Sequence, residues 1–263
     1  MEALMTKRAM KRHLREGAFD ASQFEDDGKI RRLPVDRVWS PLGHSGPHHH
    51  NDERDQGYLK TIKAKSPGQQ ALIEAIDAKN LVMALGPAGT GKTYLAIAKA
   101  VEALEAGRVG RIVLSRPAVE AGESIGFLPG EMEDKLAPYL RPLYDALSDR
   151  LSMKRVRALM AEGAIEIAPV GFMRGRTLNN AFVVIDEAQN CTYTQLKMLL
   201  TRLGWHSTMV VTGDPNQSDL LPELSGLGPV AERLEAVGNI AVVRLAERDI
   251  VRHPLVAEML GVL

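Results

Sequence analysis

From Ser66 onward the chain alternates short apolar runs with amphipathic stretches, a rhythm that predicts strands and helices in turn. Asn80 to Leu85 reads as a buried strand, and Lys92 to about Ala106 as a helix that ends near Gly107. Arg111 to Ser115, Ala164 to Ala168, Phe182 to Ile185, Thr208 to Thr212 and Ile240 to Leu245 read as further strands. Glu131 to Met160 is charged and leucine-bearing, the texture of a helical segment, with Pro138 and Pro142 expected to limit its continuity because proline has no N–H to donate. Strands that alternate with helices build a parallel sheet covered on both faces. The predicted fold class is therefore α/β, doubly wound around a mostly parallel sheet, with a single core domain at 66–263. No internal repeat of about 20 to 50 residues is visible, which argues against a solenoid.

Residues 1–65 lack this periodicity and read as a flexible arm. It carries the acidic cluster Glu25-Asp26-Asp27, the stretch Pro41 to Pro47, and His48-His49-His50. Lys7, Arg8, Lys11, Arg12 and Arg15 fall at helical spacing and are suited to touching phosphates, although a solvated tail is the simpler reading. Neighbouring histidines in a loop seldom close a metal site by themselves, so no metal is expected there.

Composition narrows the picture in two ways. Lys+Arg and Asp+Glu both number 33, so no global positive field announces a nucleic-acid partner, and any such contact must rest on local charge. Cys191 is the sole cysteine and cannot form an internal disulfide, which fits a reducing, cytoplasmic setting. No apolar run of roughly 18 residues and no secretory leader is read, so neither a membrane span nor export is expected.

The chemistry concentrates at three strand ends. Gly86-Pro87-Ala88-Gly89-Thr90-Gly91-Lys92-Thr93 fits the phosphate-loop pattern in full and sits between a predicted strand and a predicted helix, the context such a loop requires. Glycines let backbone N–H groups wrap phosphates, Lys92 adds positive charge, and the Thr93 hydroxyl is a Mg²⁺ ligand. Phe182 to Ile185 runs into Asp186-Glu187. Asp186 is suited to hold Mg²⁺ through water, and Glu187 to orient or deprotonate an attacking water. Thr208 to Thr212 runs into Gly213-Asp214-Pro215-Asn216-Gln217, where Gln217 is suited to sense a γ-phosphate or position the water; a plain tight turn is the alternative for a segment so rich in turn formers. Small-molecule kinases also use phosphate loops, but a Glu directly after the Mg-binding Asp favours hydrolysis over transfer.

These residues fall in a wider set of motifs: GPAGTGKTYLA at 86–96, SRPAVEAGESIGFLPG at 115–130, MRGRTL at 173–178, IDEAQN at 185–190, LTRLG at 200–204, TGDPNQ at 212–217 and VRHPLV at 251–256. In them the chain resembles the bacterial PhoH family of ATPases, themselves similar to the first motor domain of superfamily 1 helicases, from about Ser66 to the end. The resemblance implies a RecA-like P-loop NTPase core that binds ATP and Mg²⁺. It implies that Gln69 contacts adenine, that Arg116 lies in a segment running along a nucleic-acid strand, and that Arg252 contacts the γ-phosphate. Arg174 and Arg176 are candidates for RNA phosphates or for a neighbour's nucleotide, with a surface solubility role as the alternative. Glu120 and Glu123 are as suited to holding these arginines as to catalysis. Some family members carry a longer N-terminal region or a fused ribonuclease domain; neither is read here, which weakens any expectation that the chain cuts RNA. Asp219 to Leu224 departs somewhat from the family pattern.

Helicase motors usually close a second lobe over the γ-phosphate. About 46 residues follow Gln217, short of the roughly 100 that a domain needs, so closure by a second subunit is expected: a ring-like homo-oligomer with an arginine supplied in trans. The family resemblance also points to rings, with a hexamer as the expected size. Two functions then compete. The first is an RNA-stimulated ATPase that remodels or unwinds RNA; the second is a nucleotide-gated scaffold for a ribonuclease or ribosome-maturation partner.

Overall fold

The computed structural model describes residues 62–117 and 132–251. The N-terminal arm with its basic residues and His48-His50, together with Glu120, Glu123 and Arg252, lies outside them. Among the described residues no helix is long and apolar enough to cross a membrane.

Elements follow one another as α1 (Pro67–Ala78), β1 (Leu81–Leu85), α2 (Lys92–Glu105), β2 (Arg111–Arg116), α3 (Met132–Ser148), α4 (Met153–Ala161), β3 (Ile165–Pro169), β4 (Ala181–Ile185), α5 (Tyr193–Leu200), β5 (Thr208–Gly213), α6 (Leu227–Leu234) and β6 (Ile240–Arg244). The strands form one six-stranded sheet in the order β3-β2-β4-β5-β1-β6, with every neighbouring pair parallel. Register brings the strand ends level: Leu85 stands opposite Gly213 and Arg244, and Ile185 opposite Ser115 and Val211.

Both faces of the sheet are covered, which explains why β1 and β4 are apolar at every position and buried throughout. Val82, Ala84, Ile112, Leu114 and Val184 pack with Leu72 of α1, Ile97 of α2, Leu143 and Leu147 of α3 and Val156 of α4. The opposite parity, Met83, Leu85, Val113, Val183 and Ile185, packs with Leu196 and Leu199 of α5 and Val230 of α6. One strand, β5, separates β1 from β4. That spacing sets the phosphate-loop strand apart from the acidic strand by one sheet position, the arrangement of a RecA-like core, and it confirms the doubly wound α/β expectation.

The prolines do not break α3 as expected. The helix runs through Pro138 and Pro142 to Ser148, and the interruption falls instead at 149–152, where Ser152 caps α4 by accepting from Arg155 N–H at 3.2 Å. Pro142 is exposed, whereas Leu143 and Leu147 are fully buried. Burial of the two leucines, at about 1.5–3 kcal/mol each, works against a cost of about 3 kcal/mol for each of the two mid-helix prolines.

Candidate functional site

The loop between β1 and α2 is built from glycines because its backbone enters conformations that side chains resist. Gly89 and Gly91 both have φ near 83°, in the left-handed region, and a Cβ at Gly91 would stand 3.1 Å from Gln69 Nε2. Three distant segments pin the loop. Gly86 N–H donates to Gly213 O at 3.2 Å, Gln69 Nε2 donates to Thr90 O at 3.0 Å, and Val251 N–H donates to Gly89 O at 2.9 Å. Lys92 opens α2 with its ammonium turned into the loop, donating to Gly86 O at 2.6 Å and Pro87 O at 2.8 Å. Burial lowers the Lys92 pKa, and the negative charges of Asp214, Glu187 and Asp186 oppose that shift.

Facing the loop, the Thr93 hydroxyl donates to Asp186 Oδ1 at 2.5 Å, and the Thr212 hydroxyl at the end of β5 donates to the same oxygen at 2.7 Å. Asp186 is 3% exposed. Its neighbour Glu187 takes a left-handed backbone, φ 53° and ψ 40°, which aims consecutive side chains of a strand end differently from an extended pair. Arg116 lies 3.7 Å from Asp186 Oδ2 and 3.4 Å from Glu187 Oε1. Gln189 donates from Nε2 to Glu187 Oε2 at 2.5 Å and accepts at Oε1 from Asp214 N–H at 3.2 Å.

A cavity of about 300 Å³ lies between these walls, lined by Gly89, Gly91, Lys92, Thr93, Asp186, Glu187, Gln189, Asp214 and Gln217, among others. The donor set suits Mg²⁺, which takes hard oxygen ligands and keeps several waters. Among the described residues no group of three or more His, Cys, Asp or Glu gathers that could hold a metal by itself. A Mg²⁺ ion here would rest on Thr93 and Asp186 and complete its shell with water and phosphate oxygens.

The structure thus brings Lys92, Thr93, Asp186, Glu187 and Gln217 to one cavity. Ala88, Gly89 and Gly91 line the same cavity, and the remaining described candidates have these surroundings. Gln69 is 5% exposed and braces the loop, with Oε1 accepting from Lys65 N–H at 2.8 Å. Arg116 turns toward the acidic pair. Arg176 grips Glu166 with both terminal guanidinium nitrogens, at 2.5 and 2.6 Å, and these hydrogen bonds hold the Glu166 carboxyl below its ordinary pKa. Arg174 is exposed and makes no ion pair among the described residues. Sequence reasoning passed over Gln189 and Thr212. Thr212 had a weak signal, a polar residue closing the apolar run MVV, whereas Gln189 stands among the other polar residues of DEAQN and had none.

Strand order and loop together define a P-loop protein with the core of a nucleoside triphosphatase. The model of the PhoH family, described as PhoH-like protein, matches residues 61–263, and the chain belongs to this family. It is 53% identical over 202 residues to a PhoH-like protein of Bacillus subtilis, covering 76% of this chain and 63% of that protein. It is 55% identical over 201 residues to one of Mycobacterium bovis, covering 76% and 57%. Protein PhoH of Escherichia coli K12 is 44% identical over 205 residues, covering 77% and 58%. The chain therefore spans about three-fifths of the length of these curated relatives. Among solved structures, the large terminase of a thermophilic bacteriophage aligns with 74% of this chain and 49% of its own, at 12% identity and a TM-score of 0.46.

Proposed function

We propose that this chain binds Mg-ATP in the cavity between the phosphate loop and β4, hydrolyses it, and couples turnover to RNA binding, remodelling or unwinding. The observation that carries the proposal is the direct contact of Thr93 with Asp186, 2.5 Å apart in space and 93 residues apart in sequence, beside Lys92 and Glu187. Lys92 holds its charge inward against neutral carbonyls, and a phosphate oxygen is a stronger acceptor for it than either. Bound Mg²⁺ supplies concentrated positive charge at the phosphates. Glu187 takes the proton of the attacking water and Gln217 orients that water, while Asp186 and Thr93 fix the metal side of the cavity.

Arg174, exposed in the segment between β3 and β4, is the cation this reading assigns to RNA phosphates. Arg116 is committed to the acidic pair, so charge over the γ-phosphate is supplied by an arginine of a second copy in a ring. The test is an ATPase titration with RNA and DNA oligonucleotides, run beside a mass measurement with and without nucleotide. Lys92→Ala is expected to lower turnover by at least about 100-fold, and single-stranded RNA to raise wild-type turnover in a salt-sensitive way. A strictly monomeric protein with full activity would remove the ring, and turnover equal in wild type and Lys92→Ala would remove hydrolysis.

One set of contacts favours a second reading, a nucleotide-gated scaffold for a ribonuclease or ribosome-maturation protein. Arg176 is engaged by Glu166 and Arg116 by Asp186 and Glu187, while Leu221 and Leu224 stand 66% and 50% exposed in the loop after Gln217. Hydrolysis indifferent to RNA, together with nucleotide-dependent capture of one such purified partner, would select it.

A further inference from the structure

The turns after β4 and β5 are stitched together more tightly than a shared cavity requires. Gln189 is 4% exposed, and both ends of its amide are used: one donates to Glu187 Oε2 at 2.5 Å, the other accepts from Asp214 N–H at 3.2 Å. Its backbone carbonyl accepts from the Ser218 hydroxyl at 2.9 Å. Next to it, Asn190 Nδ2 donates to Asp219 Oδ2 at 2.8 Å, and Asn190 Oδ1 accepts from Asp219 N–H at 2.8 Å. The fit is close, because a Cβ at Gly213 would stand 2.8 Å from Gln189 Oε1 and 3.1 Å from its backbone nitrogen. Below the turn, Ala188 and Cys191 are fully buried and anchor it in the core.

Glu187 needs such support. A left-handed backbone at a residue with a Cβ costs on the order of 1–2 kcal/mol and persists only where neighbours hold it. Its side chain is 38% exposed, so packing alone does not fix the carboxylate. Arg116 approaches Oε1 at 3.4 Å, a looser contact than the amide of Gln189 makes with Oε2.

We infer that Gln189 is the positioning residue for Glu187, locking the carboxylate that takes the water's proton to the turn that carries Gln217, so that the two move as one unit. The inference rests on the hydrolysis reading above and assigns the side chain that sets its geometry. A buried amide donates to one element and accepts from the other, and so serves both contacts without adding charge.

The test compares wild type, Gln189→Ala, Gln189→Glu, Glu187→Gln and the double variant Glu187→Gln/Gln189→Ala, with Lys92→Ala as the inactive control. Turnover of ATP is followed under single-turnover conditions so that slow rates stay readable, alongside KM, the Kd of a fluorescent ATP analogue and the thermal midpoint. Gln189→Ala and Gln189→Glu are expected to lower kcat by about 10- to 100-fold with KM and Kd within about twofold, because a misplaced base costs rate and not affinity. Gln189→Glu keeps the volume and the acceptor for Asp214 N–H but sets a second buried carboxylate against Glu187, so a loss there reports on charge as well as on placement, and the Glu187→Gln background decides between placement and structure. In the Glu187→Gln background, Gln189→Ala is expected to change the residual rate by less than about twofold, since the residue acts through Glu187. Wild-type kcat in Gln189→Ala, or an equal loss from Gln189→Ala in both backgrounds, overturns the inference alone. Wild-type turnover no faster than Lys92→Ala overturns the hydrolysis reading and the inference with it.

Discussion

Arg176 and Glu166 show what a residue's number in the chain does and does not tell. An arginine in a glycine-bearing loop reads as a phosphate ligand, yet here both its nitrogens close on a strand carboxylate ten residues back. These bonds hold the Glu166 carboxyl below its ordinary value of 4.5. The pair therefore contributes stability that is present at neutral pH and lost as pH falls through the lowered folded value. Its side chains are 30% and 35% exposed, so after solvent screening it is worth about 0.5–1 kcal/mol. Glu166→Gln should lower the neutral-pH thermal midpoint by about 1–4 °C, with the gap to wild type closing in strong acid, as a pH series of calorimetric scans would record. A gap that widens toward acid would show that the pair is not the source. Lys92, Thr93, Asp186 and Glu187 were legible because each belongs to a short motif whose spacing the chemistry dictates. Thr212, the inward turn of Arg116 and the reach of Gln189 to Asp214 were not, because those partners arrive from other strands and only the sheet order brings them together.

Elements were more legible than their limits. Each strand read from the apolar runs is present within about one residue of its expected ends, since a parallel sheet covered on both faces keeps most strand positions apolar and the runs stand out. α3 was the exception. Proline's local cost argued for a break, but the periodic leucines 143 and 147, both at 0% exposure, carry the helix through it. That competition is measurable. Pro142 is exposed and interior to the helix, so Pro142→Ala restores a donor without disturbing the core. The gain in helix energy, about 3 kcal/mol, is offset by about 1 kcal/mol of lost restraint on the unfolded chain. A net rise of about 1–2 kcal/mol in unfolding free energy by denaturant titration is expected, and a fall would mean that the proline ring itself packs against a neighbour.

At the scale of the whole molecule, one atom reports on the coupling of the site to the fold. Cys191 is the chain's only cysteine, fully buried where the turn after β4 enters the core, and burial pushes its thiol up to about 12. At pH 8 its thiolate fraction in the folded state is on the order of one in ten thousand, so a disulfide reagent reacts only through opening. If the turns after β4 and β5 form one unit with the nucleotide cavity, opening that frees Cys191 also destroys the cavity. Nucleotide then protects by mass action, slowing the labelling about 100-fold at 100 times its Kd. Lys92→Ala, which removes the charge on the phosphates, should label at a rate that nucleotide leaves unchanged. Labelling of the wild type that ignores saturating nucleotide would mean that the turn opens while the cavity stays closed. In that case Gln189 would be a hinge between Glu187 and the core rather than the lock that joins them.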